Sequence, residues 1–162
     1  MALDLDAKKA VFRSFTYGLY AVSAGFEGER GIFTANWLTQ VSFDPPLVAL
    51  SVERQSSTLA LIRASGRFVV VPLRSDQAKL AGDLGRPRAR AGDKFEVYDL
   101  PVLRTDTGDP VFSGGLGYCV CQVRSETDAG DSAVFIGEVI EARTGESGDP
   151  LTMRDAGYRH AG

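Results

Sequence analysis

Short apolar runs separated by turn residues, rather than long helical stripes, set the pattern of this chain. Apolar side chains alternate with smaller or polar ones over residues 15–23, residues 25–31 supply turn-forming glycines, and a second strand is predicted from about Ile32. Residues 47–52 and 67–73 are continuous runs rich in strand-forming residues. Strand pairing through hairpins is therefore expected to begin early in the chain.

A longer hairpin is predicted towards the C-terminus. Its strands span residues 117–124 and 133–143, and the polar residues 125–132 join them. Residues 93–100 and 101–104 add two short predicted strands. About six or seven strands joined mostly by hairpins indicate a mainly β protein, an antiparallel barrel that is closed or partly closed.

The predicted helices are few and short. Asp4 or Asp6 can cap a helix at the N-terminus, residues 58–64 suit a short helix packed on a sheet, and Ser75 can cap a third helix. Residues 85–92 are rich in arginine, proline and glycine, which predicts a solvated loop. This loop is too short to link two domains, so we expect one domain over residues 1–162.

Composition agrees with a single β domain. The chain has 162 residues, 44% of them hydrophobic, which is enough for one core. Gly114, Gly115 and Gly117 precede a predicted strand and not a helix, so they do not form a dinucleotide-binding fingerprint. A doubly wound parallel sheet is therefore disfavoured.

The charge distribution argues against nucleic acid and membrane partners. The formal net charge is −3, and lysine and arginine are scattered without forming a basic stripe. The first residues carry acids where a signal peptide carries bases, and no uncharged apolar run is long enough to span a bilayer. We expect a soluble, cytoplasmic protein.

Metal and hydrolytic chemistry are disfavoured as well. Cys119 and Cys121 lie two apart on a predicted strand, so their side chains point the same way and do not face each other for a disulfide. His160 is the single histidine, which leaves too few ligands for a zinc site and no Ser-His-acid set. We therefore assign no metal ligand and no catalytic side chain.

The junction between the predicted strand 47–52 and the following helix offers an anion site. Ser56, Ser57 and Thr58 would present hydroxyls at the helix start, where backbone N–H groups are unpaired and the partial charge is positive. Arg54 adds a full positive charge. The alternative is that a serine only caps the helix, worth about 1 kcal/mol, and that the arginine is a surface charge.

Residues 34–40 combine hydroxyls, side-chain amides and an indole. A flavin ring needs amide donors along one edge and a flat apolar wall, which Asn36, Gln40 and Trp37 can supply. The alternative is a hairpin strand with the tryptophan in the core and the polar residues in solvent. Lys94 can either place a cation near a flavin or be a solvent-facing strand lysine.

Five segments carry specific motifs in a fixed order. They are Phe-Thr-Tyr-Gly-Leu-Tyr at residues 15–20, Thr-Ala-Asn followed by Pro-Pro within 34–46, residues 58–62, Ser-Gly-Arg-Phe at 65–68, and Gly-Asp-Ser-Ala-Val-Phe-Ile-Gly-Glu-Val at 130–139. Together they resemble the flavin reductase-like family, whose members have an FMN-binding split β-barrel. The likeness covers nearly the whole chain, and its first half is most similar to the flavoredoxin-like branch.

The resemblance implies a homodimer that binds FMN near the subunit interface and takes electrons from NADH or NADPH. An acceptor protein or free flavin would receive the electrons. Residues 34–37 would line the ring and ribityl chain, Arg54 and residues 56–58 would hold the phosphate, and Lys94 would contact the flavin. The implied cofactor-binding residues are Thr34, Ala35, Asn36, Trp37, Gln40, Ser51, Arg54, Ser56, Ser57, Thr58, Lys94, Ser132 and Tyr158.

Two sites depart from the family pattern. Val71-Pro72 precedes Leu73 where relatives often have Asn-Val, and the other departure lies in the late hairpin. A histidine usually follows Gly-Asp in the late hairpin, and here the residue is Ser132. Serine carries no charge near neutral pH and is shorter than an imidazole. The hypotheses are therefore an NAD(P)H-dependent flavin reductase, an FMN-binding electron carrier reduced by a partner protein, and a dimeric barrel that has lost its cofactor.

Overall fold

The computed structural model describes residues 1–159, so His160 lies outside the described residues. Within this range there are five short helices and nine strands. The helices are α1 (Leu5–Phe12), α2 (Ser57–Ser65), α3 (Ala78–Leu84), α4 (Arg88–Ala91) and α5 (Lys94–Val97). The strands are β1 (Tyr20–Phe26), β2 (Glu29–Ala35), β3 (Leu38–Ser42), β4 (Leu47–Glu53), β5 (Arg67–Pro72), β6 (Val102–Arg104), β7 (Pro110–Phe112), β8 (Gly117–Ala129) and β9 (Ser132–Thr144). None of these helices is long and apolar enough to cross a membrane.

Seven strands form one antiparallel sheet in the order β2-β1-β5-β8-β9-β4-β3, and β6 pairs with β7 separately. β2 and β3 are the outermost strands of that order, yet only Asn36 and Trp37 separate them in the chain. Ala35 and Leu38 therefore lie within about 11 Å of each other, and the sheet must curve until its two edges meet. The predicted mainly β split barrel of antiparallel strands is confirmed, and the crossover that carries α2 from β4 to β5 makes its order Greek-key-like.

Both faces of the central strands are buried, which explains the continuous apolar run at residues 67–73. On β5, Phe68 and Val70 belong to one core cluster, which also contains the apolar side chains of α2. Val69 and Val71 belong to a second cluster, which lies against α3 and α5. A strand covered on both sides reads as an unbroken hydrophobic segment instead of an alternating one.

Three helical segments differ from the sequence prediction. Residues 93–100 are not a strand: Asp93 caps α5, because its carboxylate accepts a hydrogen bond from the backbone N–H of Phe95 at 3.0 Å. Ser75 does not cap α3, since Gln77 is the residue that precedes it. The loop predicted at 85–92 contains the single turn of α4, which ends at Gly92 with a positive φ of 72°.

The strands are also bounded differently. β1 begins at Tyr20 and not near residue 15, and the sequence pattern does not predict β7. The long hairpin is confirmed, but its turn consists of Gly130 and Asp131 alone. Residues 124–130 are exposed on both faces, so this end of β8 is polar throughout and resembles a turn in sequence.

Candidate functional site

A cleft of about 360 Å³ lies where the β2–β3 connection faces the start of α2 and the segment that follows α3. Nine of the thirteen predicted cofactor-binding residues line it: Thr34, Ala35, Asn36, Trp37, Ser51, Ser56, Ser57, Thr58 and Lys94. The structure thus brings together three separate parts of the chain that the sequence suggested independently.

The N-terminus of α2 opens into this cleft without a side-chain cap. Ser56 is the N-cap residue with extended backbone, but its hydroxyl makes no capping hydrogen bond, and the first turn contains no acidic residue. Ser57 is exposed and Thr58 is buried. The capping alternative is therefore not what the structure shows, and the first backbone N–H groups of α2 are available to an anion.

The start of α2 lies directly on β2. A Cβ atom added at Gly31 would come within 2.7 Å of Thr58 Oγ1 and 3.2 Å of Leu61 Cδ1. Thr58 is only 2% exposed. The absence of a side chain at one position of β2 therefore sets how close the helix N-terminus comes to the cleft wall.

Lys94 is a buried cation at the cleft wall. Its side chain is 7% exposed, and Nζ donates hydrogen bonds to the carbonyl oxygen of Ile32 at 3.1 Å and to that of Leu84. Burial lowers the pKa of Lys94 to about 8. The alternative of a solvent-facing strand lysine is wrong, because α5 turns this side chain inward between β2 and the end of α3.

The β2–β3 segment presents mixed polar and aromatic groups to the cleft. Thr34 Oγ1 donates to the carbonyl oxygen of Ala81 at 2.5 Å, and Asn36 Nδ2 lies 3.7 Å from Met153 Sδ. Trp37 is half-buried and belongs to neither core cluster. Its indole is thus part of the cleft wall, which contradicts the alternative that it is a core residue.

The other four predicted residues do not line this cleft, and their assignment stays a prediction. Arg54 donates from Nε to the carbonyl oxygen of Gly130 at 3.0 Å and from Nη2 to Asp128 Oδ1 at 2.8 Å, so its charge is directed to the β8–β9 hairpin. Gln40 lies on β3, where its amide donates to the carbonyl oxygen of Ser42 at 3.2 Å.

Ser132 and Tyr158 are held by local contacts. Ser132 is 2% exposed, and its Oγ donates to Asp131 Oδ1 at 3.0 Å. The Tyr158 hydroxyl donates to the carbonyl oxygen of Ala78 at 2.9 Å. Tyr158 lines a different cavity of about 810 Å³, between the end of α1 and the C-terminal segment.

The structure adds cleft residues that the sequence reasoning missed. Glu53 ends β4 and Gln55 follows it. Arg86 and Arg88 come from the segment 85–89, which the sequence predicts to be a solvated loop. Two arginines on either side of a proline were the available signal in the sequence. Only the folded chain places them opposite the start of α2.

The thiols are poorly suited to chemistry. Cys119 and Cys121 are unpaired and pack in the same core cluster, so their side chains share a face as predicted. Burial raises the pKa of Cys121 to about 12 and also raises that of Cys119. Both therefore stay protonated and unreactive near neutral pH. Within residues 1–159 no group of three or more His, Cys, Asp or Glu side chains could hold a metal ion.

Comparison with known proteins identifies the family to which this fold belongs. Residues 12–162 match the flavin reductase like domain. The FMN reductase (NADH) of Agrobacterium fabrum is 34% identical over 146 residues, which are 90% of this chain and 79% of that protein.

Two solved structures share the fold over nearly the full length. The flavin reductase component of a bacterial two-component tryptophan halogenase aligns with a TM-score of 0.81 and 30% identity, covering 94% of this chain and 95% of that chain. The NADH:FAD oxidoreductase of Streptomyces globisporus, in complex with NAD and FAD fragments, aligns with a TM-score of 0.80 and 27% identity, covering 92% and 87%. The resemblance predicted from the motifs is confirmed, and the chain belongs to the flavin reductase-like family.

Proposed function

We propose that this protein is a flavin reductase that binds FMN, takes a hydride from NADH or NADPH, and delivers the electrons to an acceptor. The observation that carries the proposal is the single cleft that unites the uncapped start of α2, the β2–β3 segment and the Lys94 ammonium group. Relatives named as NADH-dependent FMN and FAD reductases support the same activity and the same co-substrate.

The start of α2 is the proposed phosphate site. Ser56 and Ser57 hydroxyls and the unpaired backbone N–H groups can donate several hydrogen bonds to one phosphate, in the partial positive charge of the helix terminus. Because residue 31 is glycine, the start of α2 can lie directly against β2. The predicted contact of Arg54 with the phosphate would require its exposed hydrogen bonds to Gly130 and Asp128 to open.

The β2–β3 segment is the proposed ring site. Trp37 supplies a flat, half-buried wall and Asn36 an amide that can donate to a ring carbonyl. When bound, the flavin supplies the redox chemistry by accepting the nicotinamide hydride. Lys94 stabilises negative charge in the cleft, and a negative neighbour in turn favours its protonated form.

The acceptor is proposed to be free flavin or a partner protein. Relatives include the reductase components of two-component monooxygenases, which supports a partner oxygenase or a similar acceptor. Nicotinamide supply and such acceptors both suit the cytoplasm, where we propose that the protein acts.

We also propose that two copies associate. Val41, near the end of β3, is 50% exposed, and Phe43, which follows β3, is 91% exposed. Apolar side chains this exposed at a strand end are typical of an interface. A second copy seated there would cover the end of β3 that is joined to β4.

Anaerobic stopped-flow mixing of the FMN-loaded protein with NADH, and separately with NADPH, tests the activity. We expect the visible flavin absorbance to disappear with at least one of them. If neither nicotinamide reduces the flavin but a ferredoxin- or rubredoxin-type donor does, the protein is an electron carrier. The presence of Ser132 where the family usually has histidine favours this alternative. A protein that binds no flavin would contradict both.

A further inference from the structure

We propose that Arg86 and Arg88 form a second phosphate subsite in the cleft, which binds the additional phosphate group of a dinucleotide. The inference rests on the proposed function and extends it from a flavin monophosphate to FAD or to the pyrophosphate of the nicotinamide co-substrate. The proposed subsite consists of residues 85–89, which all line the cleft.

The position of this segment is fixed by the elements around it. Gly85 is the C-cap residue of α3, and Pro87 precedes α4 with φ of −58° and an extended ψ of 138°. The backbone N–H of Arg86 donates to the carbonyl oxygen of Asp83 at 3.3 Å. Lys94 also ties the end of α3 to β2 through the carbonyl oxygens of Leu84 and Ile32. The arginines are thus carried on anchored backbone.

The guanidinium groups themselves are only loosely engaged. Arg86 Nη2 is 3.5 Å from Asp83 Oδ1, and the same carboxylate already binds Lys79 Nζ at 2.7 Å. Arg88 Nη1 is 3.8 Å from Glu29 Oε2, and the Glu29 side chain is 70% exposed. Both pairs are long, the Arg86 side chain is 65% exposed, and the buried Asp83 carboxylate keeps Lys79 as a partner, so both guanidinium groups can turn towards a ligand at small cost.

The charge of the cleft exceeds what one monophosphate needs. Its lining includes three cations, Lys94, Arg86 and Arg88, against one carboxylate, Glu53. The start of α2 already serves the first phosphate. Two further guanidinium groups match a second phosphate well, because their planar forks donate paired hydrogen bonds to phosphate oxygens.

Two ligands can bring this phosphate, and equilibrium and kinetic measurements separate them. Dissociation constants for riboflavin, FMN and FAD are measured on the full-length protein, on Arg86→Ala and Arg88→Ala singly and combined, and on Arg90→Ala. Arg90 lies on α4 and is exposed but does not line the cleft, so it is the matched control. Steady-state kinetics with FMN give KM and kcat for NADH and NADPH.

The double variant is expected to show one of two changes of about tenfold or more: weaker FAD binding, or a higher KM for the nicotinamide at unchanged kcat. Its affinities for riboflavin and FMN should change less than about twofold. Loss with FAD assigns the subsite to the flavin, and a rise in nicotinamide KM assigns it to the co-substrate. The inference is overturned if the double variant matches Arg90→Ala in both, or if all three flavins weaken equally. Failure of the wild-type protein to bind any flavin would instead refute the proposed function.

Discussion

Lys94 combines burial with a positive charge, so its ionisation responds to whatever occupies the cleft. Burial lowers the pKa of Lys94 to about 8, and a bound anion would raise it again. Flavin binding should therefore take up a proton above that pH. We predict that FMN affinity falls as pH rises through about 8, and that Lys94→Met, measured by flavin fluorescence titration, binds more weakly and loses this pH dependence.

The stability of the flavin-free protein provides the matching control. The pKa of Lys94 is about 8 when folded and 10.5 in the reference state, so between these values the unfolded chain holds more protons. Lys94 therefore makes the free energy of unfolding rise with pH across this window, and Lys94→Met should remove that rise. An identical pH profile for both proteins would show that burial does not lower the pKa.

The most deeply buried carboxylate depends on one arginine. Asp109 is 1% exposed, and its Oδ2 accepts from Arg67 Nε at 2.8 Å and from the hydroxyl groups of Thr105 and Thr107. Arg67→Met leaves this charge uncompensated, so we predict a loss of about 3 kcal/mol in the free energy of unfolding, measured with denaturant. Arg54→Met breaks an exposed pair and should lose less than about 1 kcal/mol. Equal losses would contradict this account.

At the residue level, sequence reasoning could place residues that are close together in the chain. The structure places Ser56, Ser57 and Thr58 at the start of α2 as predicted, because the strand end and the helix start are adjacent in sequence, and their role as an anion site stays a prediction. The contacts of Arg54 could not be predicted, since its partners Asp128 and Gly130 lie more than seventy residues away in sequence, and its assignment to the phosphate stays a prediction.

Among the elements, the contact between α2 and β2 matters most for the site. A methyl group at Gly31 would collide with Thr58 Oγ1 at 2.7 Å, so Gly31→Ala must push the start of α2 outward. We predict that this variant binds FMN about tenfold more weakly while riboflavin affinity changes little. Circular dichroism must show a folded barrel, and a matching loss for both ligands would mean that the ring site has moved as well.

Helices and strands could be predicted where the segment has a clear apolar pattern or a sequence motif. The helix at 58–64 and the strands at 47–52 and 67–73 have clear patterns, and the structure confirms them within one or two residues. α5 was mistaken for a strand because its four residues are too few to show helical periodicity. The end of β8 has no buried face, so its pattern could not distinguish a strand from a turn.

At the scale of the whole molecule, the exposed apolar end of β3 predicts association. Phe43 is 91% exposed and protrudes from the turn that joins β3 to β4. We expect sedimentation to give a species of twice the 17.4 kDa chain mass. Phe43→Asp should shift the population to monomer, because a charge in an apolar interface loses its hydration. A wild-type monomer would contradict the proposed dimer.

The barrel itself followed from the sequence, but the cleft did not. Hairpin patterns and family motifs were sufficient for the antiparallel split barrel. The cleft arises because α2, the β2–β3 connection and the segment 85–89 converge, which depends on how the sheet curves and on the buried Lys94 contacts. Such convergence has no signature in any single stretch of the chain.

The most direct test of the central claim is the affinity of Ser57→Ala for FMN and for riboflavin, with Ser125→Ala on the exposed part of β8 as control. The two ligands differ only in the phosphate. If the start of α2 holds that phosphate, Ser57→Ala should weaken FMN binding by about fivefold or more and leave riboflavin binding unchanged. Equal losses for the two ligands, or no loss for either, would contradict the account.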